Sequence, residues 1–292
     1  FTRYKNNLGI SNYTIYLCTI KIMMRKITTI LLLALVLNSC GEYQKVLKSD
    51  DYNYKYTKAV AYYEAEDFNR AMPLFNELST VLRGTSKMQE VSYYFAYCHY
   101  SASDNLMAAY LFKNYTQNYP NSKHTEECAY MAAYCYYLEA PNFSLDATNN
   151  YKAIKELQAF VNKYPASKRV EECNTLLDEL RGILSKKAFE NAKQYFTTEN
   201  YKSAIIALDN VLIDFPSYTN REEVHYLIVK SSYLLAINSI STMVEDRLKS
   251  TLDAYEQFKH NYPESNYIKG LENTYNKTNQ TLTELKENKD EI

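Results

Sequence analysis

The chain has 292 residues, 46% of them hydrophobic, with 31 Tyr, no Trp and only 5 Gly. Its first 39 residues hold five basic side chains (Arg3, Lys5, Lys21, Arg25, Lys26) and no acidic one, which leaves 28 basic against 34 acidic in the remainder. That balance repels phosphate and argues against sequence-independent nucleic-acid binding. Scarce Gly, abundant Ala, Leu, Glu and Lys, and few alternating β-branched runs predict an all-α protein.

In chain order, the first feature is an address. Arg25-Lys26, the apolar run Ile27 to Leu37 and Asn38-Ser39-Cys40 have the three parts of a bacterial secretory signal. The run has eleven residues, too few to span a bilayer. Leu37-Asn38-Ser39-Cys40 resembles a lipobox, in which Cys40 becomes the acylated first residue; an ordinary secreted protein with a coincidental Cys is the alternative. Residues 1–22 then read as an upstream extension, Met23 or Met24 as the start, 23–39 as the signal and 40–50 as a lipidated tether. Two or three acyl chains anchor stably, because burial is worth ~0.8 kcal/mol per CH₂ and one chain is marginal. Gly41-Glu42 supplies no Asp after Cys40, the residue that in enteric bacteria resembles an inner-membrane retention signal, and this favours the outer membrane.

From about Asp51 the chain repeats itself. Asn-Tyr-Pro-Asn-Ser (118–122), Lys-Tyr-Pro-Ala-Ser (163–167), Asp-Phe-Pro-Ser-Tyr (214–218) and Asn-Tyr-Pro-Glu-Ser (261–265) each follow a helical apolar pattern that the proline ring stops. Around them the residues fit a helix-turn-helix template of about 34 residues, with small residues where paired helices cross and aromatics between them. Ala192, Tyr195, Tyr201, Ala204, Leu208, Val211 and Pro216 show it best. This resembles the tetratricopeptide repeat. Five units run to Pro263, and units three and five carry extra residues (about Glu139 to Thr148 and Ala236 to Val244) expected to lengthen the turn between their helices. Ser86…Gln89 and Thr219…Glu222 read as capping boxes, and Ser122, Ser167 and Ser265 as N-caps. A last amphipathic helix, about Glu264 to Glu284, would close the repeat domain (51–285) ahead of a charged tail, 286–292. The resemblance implies a right-handed superhelical solenoid with a C-terminal capping helix.

Little in the chain suggests chemistry. It has no Gly-rich phosphate loop, His-Glu-x-x-His or Gly-x-Ser-x-Gly, and its four His are scattered, so neither catalysis, cofactor nor metal is expected. Asp and Glu on the helices read as a solvated face. Cys98 and Cys135 occupy equivalent positions in adjacent repeats; a disulfide in an oxidising compartment competes with the favoured reading as small core residues. The informative constellation is aromatic. Positions 5, 9 and 12 of each first helix, which line the groove of such repeats, read Tyr56, Val60, Tyr63; Tyr93, Tyr97, Tyr100; and Tyr130, Tyr134, Tyr137. In units four and five they become Phe189, Lys193, Phe196 and Tyr226, Lys230, Tyr233. The tyrosines suit a peptide with aromatic side chains and free backbone groups, the alternative being that Tyr is this chain's core aromatic.

Lipobox, short spacer, five repeats, Tyr-Pro-x-Ser repeat ends and a closing helix together resemble the BamD family of the β-barrel assembly machinery, over residues 40–285. The resemblance implies a non-enzymatic scaffold lipid-anchored to the periplasmic face of the outer membrane. It implies C-terminal repeats that bind the POTRA region of a BamA-like barrel protein, and N-terminal repeats that receive unfolded outer-membrane proteins. Lys193 and Lys230 then suit an acidic or polar partner. A periplasmic adaptor for cell-envelope coordination and a SusD-like glycan-binding lipoprotein are the alternatives; the latter would be much longer and would stack sugars on Trp, which this chain lacks.

Overall fold

The computed structural model describes residues 41–290; the signal, the start methionines and Cys40 lie outside the described residues. Among the described residues every regular element is a helix. The chain divides into two compact units, one ending at Cys128 and the other beginning at Ala129. Repeat one is α1 (Tyr52–Glu64) and α2 (Phe68–Val81), and repeat two is α3 (Met88–Ser101) and α4 (Asn105–Asn118). Repeat three is α5 (Thr125–Leu138), within which the division falls, and α6 (Thr148–Lys163). Repeat four is α7 (Val170–Thr197) and α8 (Tyr201–Asp214), and repeat five is α9 (Arg221–Ile237) and α10 (Ser241–Asn261). The closing helix is α11 (Ile268–Asp290). Consecutive helices pack on one another in each unit, as in tetratricopeptide repeats. The small template residues Ala59, Ala71, Ala96, Ala108, Ala153, Ala192 and Ala204 are buried where the pairs cross.

The Pro-centred signatures are one local structure used four times. The residue before each proline ends its helix with nearly the same backbone: Tyr119 at φ −130, ψ 60, Tyr164 at −127, 61, Phe215 at −127, 69 and Tyr262 at −136, 61. The clash with the proline ring drives it out of the helical basin. The N–H three residues on, from Ser122, Ser167, Tyr218 or Ser265, returns to that residue's carbonyl at 3.0–3.1 Å. The serines are not N-caps as expected. Ser122, Ser167 and Ser265 stand three residues ahead of their helices and accept from the N–H two residues on, tightening the turn. The capping boxes at Ser86 and Thr219 do not form either: Lys87 and Asn220 precede α3 and α9 without a side-chain cap bond. Side-chain capping instead comes from Asp51 at α1 and Asp67 at α2.

Within repeats one, two and four the first helix closes on a left-handed residue, Glu66 (φ 58), Ser103 (φ 60) or Glu199 (φ 61). The next N–H reaches back five residues, as in Asp104 N–H to the His99 carbonyl at 3.0 Å. No glycine supplies these positions, so each carries the strain of a Cβ in that region. Ser103→Gly is therefore expected to stabilise the protein by about 0.5–1 kcal/mol, seen as a higher urea midpoint with unchanged slope.

The extra residues behave differently in the two long repeats. In repeat three, 139–147 is an irregular turn, pinned where Lys187 Nζ donates to the carbonyls of Phe143 (3.1 Å) and Leu145 (2.7 Å). In repeat five they are not a longer turn: α9 and α10 grow to 17 and 21 residues with three between them. Nothing from 231 to 244 is Gly or Pro, so the helices run on, and Ala236, Leu248 and Leu282 of α11 bury the extension. α7 also extends toward its N-terminus well beyond the template, for 28 residues, because Cys173, Leu176, Leu177, Leu180 and Leu184 form a buried stripe at helical spacing. The segment read as a tether is folded too. Residues 41–47 are helical, and Val46 is fully buried in the core of repeat one.

Candidate functional site

The repeat template places the first-helix tyrosines on a groove lining, and the structure gives most of them a second task. Tyr56 donates its hydroxyl to Glu90. Tyr93 and Tyr97 both donate to Glu127, at 3.2 and 2.5 Å. Tyr130 donates to Glu172 at 2.7 Å and Tyr137 to Glu179 at 2.5 Å, and Lys193 makes the same kind of link to Glu223 at 2.7 Å. Glu90, Glu127, Glu172 and Glu223 share one address, the third residue of the next repeat's first helix. A carboxylate there faces the unsatisfied N–H groups and positive end of its own helix while it accepts from the preceding repeat. Tyr56 to Glu90 and Tyr93 to Glu127 both span 34 residues. The ties therefore recur with the repeat.

Burial ranks the rings. Tyr130 is 3% exposed, with the Arg169 guanidinium 4.1 Å over its face. Tyr97 sets its ring on Phe112 at 4.9 Å, and burial, reinforced by the Glu127 carboxylate, pushes its pKa far above the usual phenol range. Tyr63 is half-buried against the core of repeat one, packed on Phe68, Phe75 and Tyr94, and burial raises it to about 12. Tyr56, Tyr93, Tyr100, Tyr134 and Tyr137 are half-buried and keep ring surface open to solvent. Tyr134 lies stacked between Tyr130 and Tyr137, at 5.6 and 5.9 Å.

In repeats four and five, Phe189 is buried while Lys193 and Lys230 are half-buried. Lys193 lies at the edge of a cavity of about 610 Å³ between α7 and the turn into α9, lined by Arg181, Lys186, Phe189, Tyr218 and Glu223. Its charge is spent on Glu223, which holds its pKa up. The cysteines serve packing: Cys98, Cys128, Cys135 and Cys173 are free and buried. Among the described residues no group of His, Cys, Asp and Glu is arranged to hold a metal ion, and no helix is long and apolar enough to cross a membrane.

Residues 48–243 match the family model described as YfiO, outer membrane lipoprotein. The chain belongs to this family. It is the BamD family that the repeat ends and lipobox resemble, one of non-catalytic lipoprotein scaffolds of the outer membrane. None of the curated proteins matches the chain. Solved structures similar to it include the TPR domain of P58(IPK), at 13% identity, covering 82% of this chain and 68% of that one with a TM-score of 0.39. Another is the TPR2AB domain of yeast Sti1 in its pHSP90 complex, at 14% identity, 78% and 98% coverage and a TM-score of 0.37.

Proposed function

We propose that this YfiO-family lipoprotein is a scaffold of the β-barrel assembly machinery. It is held at the periplasmic face of the outer membrane by acyl chains on Cys40 and binds the POTRA region of a BamA-like barrel protein. The tyrosines of repeats one to three receive unfolded outer-membrane proteins. The observation that carries this reading is the placement of the tyrosines: Tyr56, Tyr93 and Tyr137 are half-buried with hydroxyls tied to glutamates, and half-buried Tyr134 is held by stacking on Tyr130 and Tyr137. Fixed rings lose little entropy when a peptide lands on them, and each aromatic contact adds roughly 0.5–1.5 kcal/mol beyond burial. Lys230 on α9 suits an acidic or polar stretch of the barrel partner, and Lys193 beside the cavity meets one by exchanging its bond to Glu223. Neither nucleic acid nor a cofactor enters this role.

Tyr134 is the residue to test, since it is half-buried and stacked between two neighbours. Tyr134→Ala should weaken binding of an aromatic-ended barrel peptide by about 1–2 kcal/mol, roughly ten-fold, while POTRA binding in the same full-length variant stays unchanged. Peptide titrations that give equal affinities for wild type and variant would remove the tyrosines from the proposal.

A further inference from the structure

The residues that follow Cys40 are folded, and this fixes what the anchor can do. Residues 41–47 are helical. Val46 is fully buried in the core of repeat one; the Tyr43 ring meets Tyr62 edge-on at 5.7 Å, and its hydroxyl donates to the Arg70 carbonyl at 3.3 Å. Lys55, 2% exposed, clamps the end of the segment: its Nζ donates to the Leu47 carbonyl at 3.1 Å and to both Glu77 carboxylate oxygens at 2.7 and 2.8 Å. Near its start, Glu42 accepts from Lys58 at 2.7 Å. Cys40 is joined to Gly41 by one peptide bond, about 3.8 Å between Cα atoms. No flexible spacer separates an acyl group there from repeat one.

We infer that the N-terminal edge of repeat one, comprising residues 41–48 with Tyr52, Tyr54 and Lys58, lies against the lipid headgroup layer and sets the standing orientation of the first unit on the membrane. This rests on acylation of Cys40. The chemistry of that edge suits headgroups. Lys45 on the helix and Lys48 in the turn that ends it are both exposed, where phosphates can meet them. Tyr52 and Tyr54 are 36% and 40% exposed, and tyrosine favours the membrane–water interface. Tyr54 is tied to the anchor end: Lys58 Nζ stands 5.9 Å over its ring while bonded to Glu42, two residues from Cys40. A protein partner docked on the same edge would have to displace lipid that the acyl chains hold within a few residues of it.

The chain has no Trp, so one introduced tryptophan reports alone. Full-length lipidated Tyr54→Trp, and Tyr110→Trp on α4 as an exposed comparison, are reconstituted into phosphatidylethanolamine/phosphatidylglycerol vesicles carrying lipids brominated near the headgroup. Tyr54→Trp should be quenched at least two-fold more than Tyr110→Trp. A flexible Gly/Ser linker of about twelve residues inserted between Cys40 and Gly41 should abolish the difference. Mass spectrometry of the N-terminal peptide separates the two layers of the argument. An unacylated Cys40 overturns the anchoring reading and this inference with it. An acylated protein with equal quenching at both positions, or with quenching at 54 that survives the linker, overturns the fixed orientation alone.

Discussion

Tyr97→Ala should cost about 3–5 kcal/mol of stability, the range for truncating a packed aromatic. The ring sits edge-on to Phe112 at 4.9 Å and 4.8 Å from Tyr93, so its loss opens a cavity between the two helices of repeat two. Its hydroxyl also leaves Glu127 with one tyrosine donor instead of two. Tyr97→Phe separates these effects. It keeps the ring and removes the bond, and should cost about 1–2 kcal/mol, toward the lower end for a charge-assisted bond because Glu127 is partly exposed. Glu127→Gln should cost a similar amount, and in a double-mutant cycle measured by urea denaturation the two changes should couple by about 1 kcal/mol. Strict additivity would show that the contact carries no stability. Tyr134→Ala, lacking such a tie, should cost less than Tyr97→Ala, which is why it is the cleaner probe of binding.

The contrast between these tyrosines was not visible in the sequence. Positions 5, 9 and 12 place all of them on one side of the first helices, but period alone does not say which hydroxyl finds a partner. The partner was legible in principle. Glu90 and Glu127 open the first-helix segments 90–100 and 127–137, which carry Glu, Tyr, Ala, Tyr, Cys and Tyr at the same places, and each stands three residues before a tyrosine of the row. Acidic residues on helices are usually solvated, so the recurrence by itself does not mark a partner. What lifts it is the convergence of four such carboxylates on one helical position, each reaching back to the repeat before.

The fold was more legible because its punctuation is local. A proline after Tyr119, Tyr164, Phe215 or Tyr262 excludes helix through steric contact with the residue before it, whatever the tertiary context. Side-chain caps depend on a rotamer and on where the helix starts, and there Ser86 and Thr219 misled. The extra residues of repeats three and five differ for a physical reason. Pro141 and the Asn-Phe-Ser stretch after it disfavour helix in 139–147. The corresponding stretch of repeat five has no breaker, and its apolar residues find a mate in α11. That mate lies far along the sequence, beyond the reach of any local pattern.

Raising the pH should unfold the protein steeply above about pH 9, the second large effect. Cys98, Cys128 and Cys135 are fully buried, and burial pushes each thiol from an ordinary 9.0 up to about 12. Tyr63, through burial, and Tyr137, through its bond to Glu179, rise from 10.0 to about 12, and Tyr56, Tyr93, Tyr97 and Tyr130 rise further. In every case the folded pKa exceeds the unfolded one. The stabilisation is complete below the unfolded value and is lost as pH climbs toward the folded value, because the unfolded chain sheds protons that the native chain must keep. Each fully buried thiol can withdraw up to about 1.4 kcal/mol per pH unit across that window, and the half-exposed tyrosines less. Against a total of about 5–15 kcal/mol, losses of that size from the buried thiols and the tied tyrosines together remove much of the stability before pH 12. Thermal melts from about pH 8 to about pH 11 should show a falling midpoint. Thiol reaction with a disulfide reagent should rise only together with the loss of helical circular dichroism, and so should the tyrosinate absorbance of a tied ring, read as the difference between wild type and Tyr97→Phe. That difference signal appearing near pH 10 in a protein that stays helical would mean that the tied hydroxyl ionises in place, and that the glutamate tie opens without unfolding the repeats.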